Sequence, residues 1–381
     1  MHAIMSRAFF LIPGARLPAR LAADLLAHAS HEEAAALRLL GSGREAPETQ
    51  CLTGKVGRLA PHYAWCWKVF ARRPGEPQTA PALWRLADGP HFDAPLMRLI
   101  PLARQAAGFV EATLAERNIL PLLCALSEPA SRFGLRLQVS GTELFLSSAT
   151  ERDFAAAPVA APAALMPLAN TADFDALFSA GMEGPDTSWA HDVLAAFGEK
   201  LASDTSLQQL NELRAVSGLP RIEGFWLSTP GRVEGYHPPS LFRAVLANDG
   251  VLRGWALAAG IPAAFVRPLT PRKTDESLPA WPKDVPPGDV VAVVDDLYAP
   301  WLAGDLAAWR RALPAVVQKL EALRAGLSAL KVDEDALVLF GTAGAATLMP
   351  QARSFFDRLR RTKNAIAPET WLADPYEEAF R

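Results

Sequence analysis

Two adjacent acidic residues stand where an α/β protein would bind a ligand. Asp295 and Asp296 follow VVAVV at 290–294, an apolar run that predicts a buried parallel strand. Proteins of this class bind ligands at the carboxyl ends of such strands, where the carboxylates could hold a hard cation with Asp305 or His237. The alternative is that both aspartates are ordinary loop or helix-capping residues.

Candidate catalytic residues lie in two short turns. Asp88-Gly-Pro-His91 brings together a carboxylate and an imidazole that could cooperate in acid–base chemistry. Thr229 follows a predicted strand and carries a hydroxyl that could act as a nucleophile. The simpler interpretation is an exposed turn in the first case and a strand-ending turn in the second. No histidine can be assigned as a base for Thr229, because such partners meet in space and not along the chain.

An amide and a guanidinium share one face of a predicted helix. Asn211 and Arg214 lie three residues apart, so their side chains are neighbours on the helix surface. Arg214 could bind a phosphate or carboxylate through two parallel hydrogen bonds. Equally, it could be a structural arginine that ties the helix end to the following loop.

The sequence lacks the common phosphate-binding and hydrolase motifs. It contains no GxxxxGK(S/T) or GxGxxG loop and no GxSxG elbow. The nearest approximation is the turn Gly341-Thr-Ala-Gly344, which follows LVLF at 337–340. Its small residues could cradle an anion at the start of a helix, or they simply connect a strand to a helix.

The elements that must position these residues predict an α/β fold. AFFLIP at 8–13 predicts a buried first strand, and Ser30 with Glu33 forms a capping-box pattern at a helix start. VVAVV, a helical segment at 302–330 and LVLF form a strand–helix–strand unit, which is typical of a parallel sheet. We therefore expect a mostly parallel central sheet flanked by helices.

A second region of the chain has a different pattern. Residues 102–118 have helical apolar spacing, and the alternating residues 135–146 predict an additional β-hairpin region. The Ala/Pro-rich stretch 155–170 has no period and predicts a connector. We expect an N-terminal α/β part at 1–154 and a C-terminal α/β part at 171–381 that completes one sheet with the first strand.

Composition excludes several classes of protein. The 38 basic residues are balanced by 41 acidic ones, so the chain has no basic excess for binding nucleic acid. AFFLIP is far too short to cross a membrane, and the three cysteines form no CxxC pair. These features predict a cytoplasmic protein that binds neither nucleic acid nor membrane. Its Pro-rich loop at 268–287 is expected to be exposed and could recruit a protein partner.

The segment 211–227, NELRAVSGLPRIEGFWL, carries the pattern N-x-x-R-x-x-x-G-x-P-x-x-x-x-x-W. This pattern resembles a segment of the archaeal-type cofactor-independent phosphoglycerate mutases, and residues 232–262 are similar to the block that follows it there. An uncharacterised proteobacterial family with phosphoglycerate-mutase-like or regulatory-protein labels is more similar still, and it also matches FFLIPG and residues 297–313. The matching segments cover about a quarter of the chain.

The resemblance implies an α/β fold of the alkaline phosphatase superfamily. In the mutases the first strand ends in Asp-Gly, whose aspartate is a metal ligand, whereas this chain has Pro13–Gly14. Their late Asp-x-x-Gly-His-Asp block supplies further ligands, but the equivalent Asp295-Asp-Leu-Tyr-Ala-Pro contains no histidine. Loss of ligands from both places would abolish a two-metal phosphoryl transfer.

The sequence therefore predicts a phosphoglycerate-mutase-like protein that has lost its metal centre and acts as a binding or regulatory protein without a cofactor. A small anion would bind near Asn211, Arg214 and Arg232. The alternative is an active phosphomutase or phosphohydrolase, in which Asp295, Asp296 and His237 hold Mn²⁺ or Mg²⁺ in a rearranged site.

Overall fold

A computed structural model describes residues 6–41, 44–45, 50–51, 61–62, 65–66, 96–105, 108–112, 114–140, 142–156, 181–228, 230, 242–270, 278–302, 304–332, 334–341, 344–349 and 367–374. The strands, in chain order, are β1 Arg7–Ile12, β2 Arg44–Glu45, β3 Gln50–Cys51, β4 Leu96–Gln105, β5 Gly108–Glu111, β6 Leu135–Ser140, β7 Glu143–Ser148, β8 Ala155–Ala156, β9 Met182–Glu183, β10 Gly224–Leu227, β11 Phe242–Leu246, β12 Val266–Arg267, β13 Asp289–Val293, β14 Glu334–Phe340 and β15 Gly344–Met349. The helices are α1 Ala19–His28, α2 His31–Leu40, α3 Glu116–Arg132, α4 Thr187–Ser203, α5 Thr205–Val216, α6 Gly250–Ala258, α7 Tyr298–Leu302, α8 Leu306–Gly326 and α9 Pro368–Trp371.

The chain forms two compact units. Unit 1 contains Met1–Pro77 and His237–Arg381, and unit 2 contains Gln78–Tyr236. These bounds differ from the expected division at 155–170. The physical reason is strand pairing, because β10 pairs antiparallel with β4 and so joins residues on both sides of that stretch in one sheet.

The sheet of unit 1 is mostly parallel, which confirms the predicted fold class. Strands β12, β11, β13, β1 and β14 are parallel neighbours in this order, and β15 pairs antiparallel with β14. Phe10 of β1 lies opposite Ala292 of β13 and Leu337 of β14. The strands predicted from AFFLIP, VVAVV and LVLF are therefore the three central ones, and their side chains are almost completely buried.

Local sequence explains how the helices of unit 1 begin. The capping box predicted at α2 is present, with the Ser30 side chain accepting from the amide of Glu33 and Glu33 accepting from the amide of Ser30. Asp305 caps α8 by accepting from the amide of Ala308 at 2.8 Å. Glu33 also pairs with Arg310 of α8 at 2.6 Å, which ties the two helices together.

The Pro-rich loop is only partly as predicted. Residues 278–287 lie within the described structure, and Trp281 donates through Nε1 to the carbonyl of Leu323 on α8 at 2.9 Å. The indole also contacts Phe10 of the central strand, with ring centroids 6.4 Å apart. This half of the loop is therefore packed on unit 1.

Unit 2 is built on an antiparallel sheet in the order β10-β4-β7-β6, with β5 also paired to β4. The predicted hairpin is confirmed as β6 and β7. The helix expected at 102–118 is wrong, because residues 96–105 and 108–111 are strands and α3 begins only at Glu116. Helices α3, α4 and α5 pack on the sheet around Phe197, Phe225 and other buried apolar residues.

No helix among the described residues is both long enough and apolar enough to cross a membrane.

Candidate functional site

The predicted site residues fall into three groups. Asp88, His91, Thr229, Arg232 and His237 lie outside the described residues, so their roles stay predictions. Asn211 and Arg214 belong to unit 2, and Asp295 and Asp296 belong to unit 1. The two described pairs are therefore parts of different units.

In unit 1, polar residues gather at the carboxyl ends of two neighbouring strands. Asn248 and Asp249 follow β11, and Asp295 and Asp296 follow β13, which pairs in parallel with β11. Nδ2 of Asn248 donates to Oδ1 of Asp295 at 3.1 Å. These four residues, here named the strand-end cluster, occupy the edge where parallel α/β sheets bind ligands.

One carboxylate of the strand-end cluster is neutralised by the protein itself. The ammonium of Lys319, on α8, lies 2.6 Å from Oδ1 of Asp296. Both side chains are largely shielded from solvent, so the attraction is screened less than at the surface. The pair fixes Asp296 against α8 and supplies a positive charge at the end of β13.

Asp295 is electrostatically the most perturbed member of the strand-end cluster. Burial raises the pKa of Asp295 to about 6, and the negative charges of Asp296 and Asp249 act in the same direction. The hydrogen bond from Asn248 opposes this rise by favouring the ionised form. Such a carboxyl exchanges a proton close to neutral pH, which suits it to acid–base chemistry or to pH-dependent binding.

This raised pKa predicts a pH-dependent stability. The folded state binds the Asp295 proton more tightly than the unfolded state, so the stabilisation is complete below the ordinary pKa of 3.8 and is lost as pH rises through about 6. We expect Asp295→Asn to raise the free energy of unfolding at about pH 8 by about 1–2 kcal/mol more than at about pH 4. Chemical denaturation at both pH values measures the difference.

The matched control for this prediction is Asp24→Asn. Asp24 lies on α1 with a side chain 61% exposed, so its substitution should shift the stability by the same small amount at both pH values. Equal effects of Asp295→Asn at the two pH values would contradict the prediction.

Three further side chains next to the strand-end cluster were missed by the sequence analysis. The ring of His62 lies edge-on to Tyr298 with centroids 4.7 Å apart, and burial lowers the pKa of His62 to about 3. Burial raises the pKa of Tyr298 and of the Cys66 thiol, and the charge of Asp249 contributes to both shifts. Each group is therefore neutral at neutral pH. No sequence spacing indicates them, because His62 and Tyr298 are distant along the chain.

In unit 2, Asn211 binds the backbone of the loop that follows α5. Its Nδ2 donates to the carbonyl of Ile222 and its Oδ1 accepts from the amide of Ile222, both at 2.8 Å. The amide side chain thus joins the helix to the residues just before β10.

Arg214 is buried, with 1% of its surface exposed, and binds protein acceptors. Its Nε donates to the carbonyl of Pro220 at 2.9 Å, and one terminal nitrogen donates to Oδ1 of Asn118 at 3.1 Å. These contacts correspond to the structural interpretation, in which the arginine ties the helix end to the loop. Anion binding by Arg214 stays a prediction.

Comparisons with known proteins give two distant structural relatives. No protein-family profile matches the sequence, and neither does any curated protein. The PH0037 protein of Pyrococcus horikoshii is similar with a TM-score of 0.40 and 12% identity over 91% of this chain and 87% of that one. The cofactor-independent phosphoglycerate mutase of Thermoplasma acidophilum is similar with a TM-score of 0.34 and 11% identity over 98% and 94%. The chain is distantly similar to phosphoglycerate-mutase-like proteins.

Two tryptophans close the turn that follows β1. Nε1 of Trp309 donates to the carbonyl of Gly14 at 2.7 Å, and Nε1 of Trp301 donates to the carbonyl of Arg16 at 3.0 Å. Both indoles are buried, and Pro13 is buried with them. The prediction that these tryptophans anchor the start of α8 to the sheet is confirmed. Apolar rings fill the space beside the residue that replaces an aspartate of the mutase pattern.

The described residues of the strand-end cluster do not fit a two-metal centre. Such a centre needs several converging anionic or imidazole ligands around each ion. Here Lys319 already neutralises Asp296, and Asn248 occupies Oδ1 of Asp295. Within the described ranges, no three His, Cys, Asp or Glu side chains are grouped so that they could hold a metal ion.

Proposed function

We propose that this chain is a phosphoglycerate-mutase-like α/β protein that has lost its metal centre and acts in the cytoplasm as a binding or regulatory protein. Its ligand is a small anion or a protein partner. The observation that carries the proposal is the ion pair between Lys319 and Asp296. An ammonium at 2.6 Å supplies the positive charge that a divalent cation would otherwise bring to this carboxylate.

The other end of the mutase pattern supports the same proposal. Pro13 has neither a carboxylate nor an amide hydrogen, so it offers no ligand at the end of β1. The indoles of Trp301 and Trp309 bind the backbone around it. Placing an aspartate there would bury a carboxylate among apolar rings, which costs several kcal/mol unless the charge is paired.

A competing proposal is a phosphomutase or phosphohydrolase with a rearranged site. The observation that favours it is the pKa of Asp295, which burial and the charges of Asp296 and Asp249 raise to about 6. A carboxyl with a pKa near the working pH is a suitable general base. This proposal also requires His237 and bound Mn²⁺ or Mg²⁺.

Metal content and turnover separate the two proposals. The purified full chain is dialysed with Mn²⁺ or Mg²⁺, its bound metal is measured, and phosphoglycerate mutase and phosphatase activities are assayed. We expect substoichiometric metal and no turnover above that of Asp295→Ala and Asp296→Ala. The physical reason is that Lys319 already balances the charge of Asp296.

The same variants give the opposing outcome. Stoichiometric metal, together with turnover that Asp295→Ala and Asp296→Ala remove and Asp24→Ala leaves intact, would establish the enzyme and reject the binding protein. Asp24 is the control because it lies exposed on α1.

A further inference from the structure

The last described segment of the chain, 367–374, is attached to the residues that follow β1. The amide of Leu17 donates to the carbonyl of Leu372 at 2.8 Å, and the amide of Asp374 donates to the carbonyl of Leu17 at 2.9 Å. Trp371 of α9 is completely buried in the same segment. The C-terminal segment is thus held by one short β-bridge and one buried indole.

Arg16 lies beside this segment with only 3% of its surface exposed. One terminal nitrogen of its guanidinium donates to the carbonyl of Ala373 at 2.8 Å. A guanidinium keeps its charge in proteins, so burial favours an anionic group close to it. Arg16 follows β1, the strand at the centre of the parallel sheet.

The carboxylate of Asp374 fills the space at the end of the next strand. Asp374 is 2% exposed, and its Oδ2 would overlap a Cβ placed on Gly341, the residue directly after β14. The same Cβ would lie 2.9 Å from Cβ of Arg16. Because Gly341 has no side chain, the carboxylate lies against its backbone and next to Arg16.

We propose that Arg16 and the turn at Gly341 form a binding site for a small carboxylate or phosphate group, and that the chain's own Asp374 occupies it in this structure. An arginine and a glycine at the carboxyl ends of two adjacent parallel strands have the chemistry and the location of an anion site. This inference rests on the proposed binding function. It is independent of the loss of the metal centre, which the metal and turnover assays test separately.

The attachment of Asp374 makes the site self-inhibited. A group tethered to the same chain competes at an effective concentration in the millimolar range. A free anion must displace Asp374 and release the C-terminal segment, so its apparent affinity is reduced by the occupied fraction. Exposure of Trp371 would accompany this release, since the indole is buried in the same segment.

Phosphate binding to the full-length chain tests the proposal. Isothermal titration with inorganic phosphate is expected to show at least a tenfold tighter dissociation constant for Asp374→Ala than for the wild type. The double variant Asp374→Ala, Arg16→Met is expected to lose this gain. The gain arises because the competing carboxylate is absent while the guanidinium stays in place.

The matched control is Asp335→Ala. Asp335 is completely buried and pairs with Arg324 at 2.8 Å, but it lies near the start of β14, at the opposite edge of the sheet. Removing this carboxylate also leaves an arginine without its acid, so an equal gain in phosphate affinity would show non-specific attraction and overturn the proposal. An unchanged affinity in folded Asp374→Ala would overturn it as well.

A measurement on the wild type covers the case in which Asp374→Ala does not fold. Hydrogen exchange of residues 367–374 is followed with and without saturating phosphate. We expect faster exchange of this segment when phosphate is bound, because its amide at Asp374 loses the carbonyl of Leu17. Exchange that phosphate leaves unchanged would overturn the proposal.

Discussion

Replacing Gly14 with alanine is expected to lower the free energy of unfolding by roughly 2–5 kcal/mol. The backbone φ of Gly14 is +74°, a conformation that costs an L side chain about 1–2 kcal/mol. The new Cβ would lie 2.7 Å from Cβ of Trp301 and 2.8 Å from the carbonyl oxygen of Leu297. Neither neighbour can move easily, since Trp301 is buried and Leu297 begins the approach to α7. Chemical denaturation of the two full-length proteins measures the loss.

Gly260→Ala is the control that separates backbone strain from steric overlap. Gly260 has a φ of +80° and follows α6 in the same unit, but nothing lies within 4 Å of a Cβ placed there. We expect this substitution to cost only about 1–2 kcal/mol, the strain contribution alone. Equal losses for the two variants would show that Trp301 and Leu297 do not confine the turn after β1.

The parts of the fold that the sequence predicted are those determined by local pattern. VVAVV and LVLF are apolar at every position because parallel strands are covered on both faces, and both are strands as expected. Ser30 and Glu33 satisfy each other within one helical turn, so the capping box could be read directly.

Long-range pairing explains the errors. Residues 102–110 carry apolar residues at spacings that fit a helix or two strands, and pairing of β4 with β7 and β10 decides for strands. The turn after LVLF was expected to start a helix, but β15 follows and pairs antiparallel with β14. In both cases the deciding contacts involve partners that a local window does not contain.

The candidate site was predicted only in its acidic half. Asp295 and Asp296 could be found because a polar pair after an apolar strand has a known position in parallel sheets. Lys319, Asn248 and Asp374 reach the same sheet edge from other elements, and no spacing along the chain relates them to the aspartates. The chemistry of the edge therefore emerges only when the strands are aligned.

Arg214→Ala is expected to destabilise the protein by about 3 kcal/mol or more, because it removes a buried guanidinium and leaves its acceptors without a donor. The carbonyl of Pro220 and Oδ1 of Asn118 would lose hydrogen bonds of 2.9 and 3.1 Å. Arg221→Ala is the matched control: this arginine is 51% exposed, and its pair with Glu212 should contribute at most about 1 kcal/mol. Denaturant titrations in the presence and absence of phosphate then distinguish the structural role from anion binding. Phosphate that stabilises the wild type and Arg221→Ala but not Arg214→Ala would show that Arg214 binds the anion after all. If Arg214 is structural, its loss lowers stability equally in both buffers, and the anion site of this chain must be sought in unit 1, at Arg16.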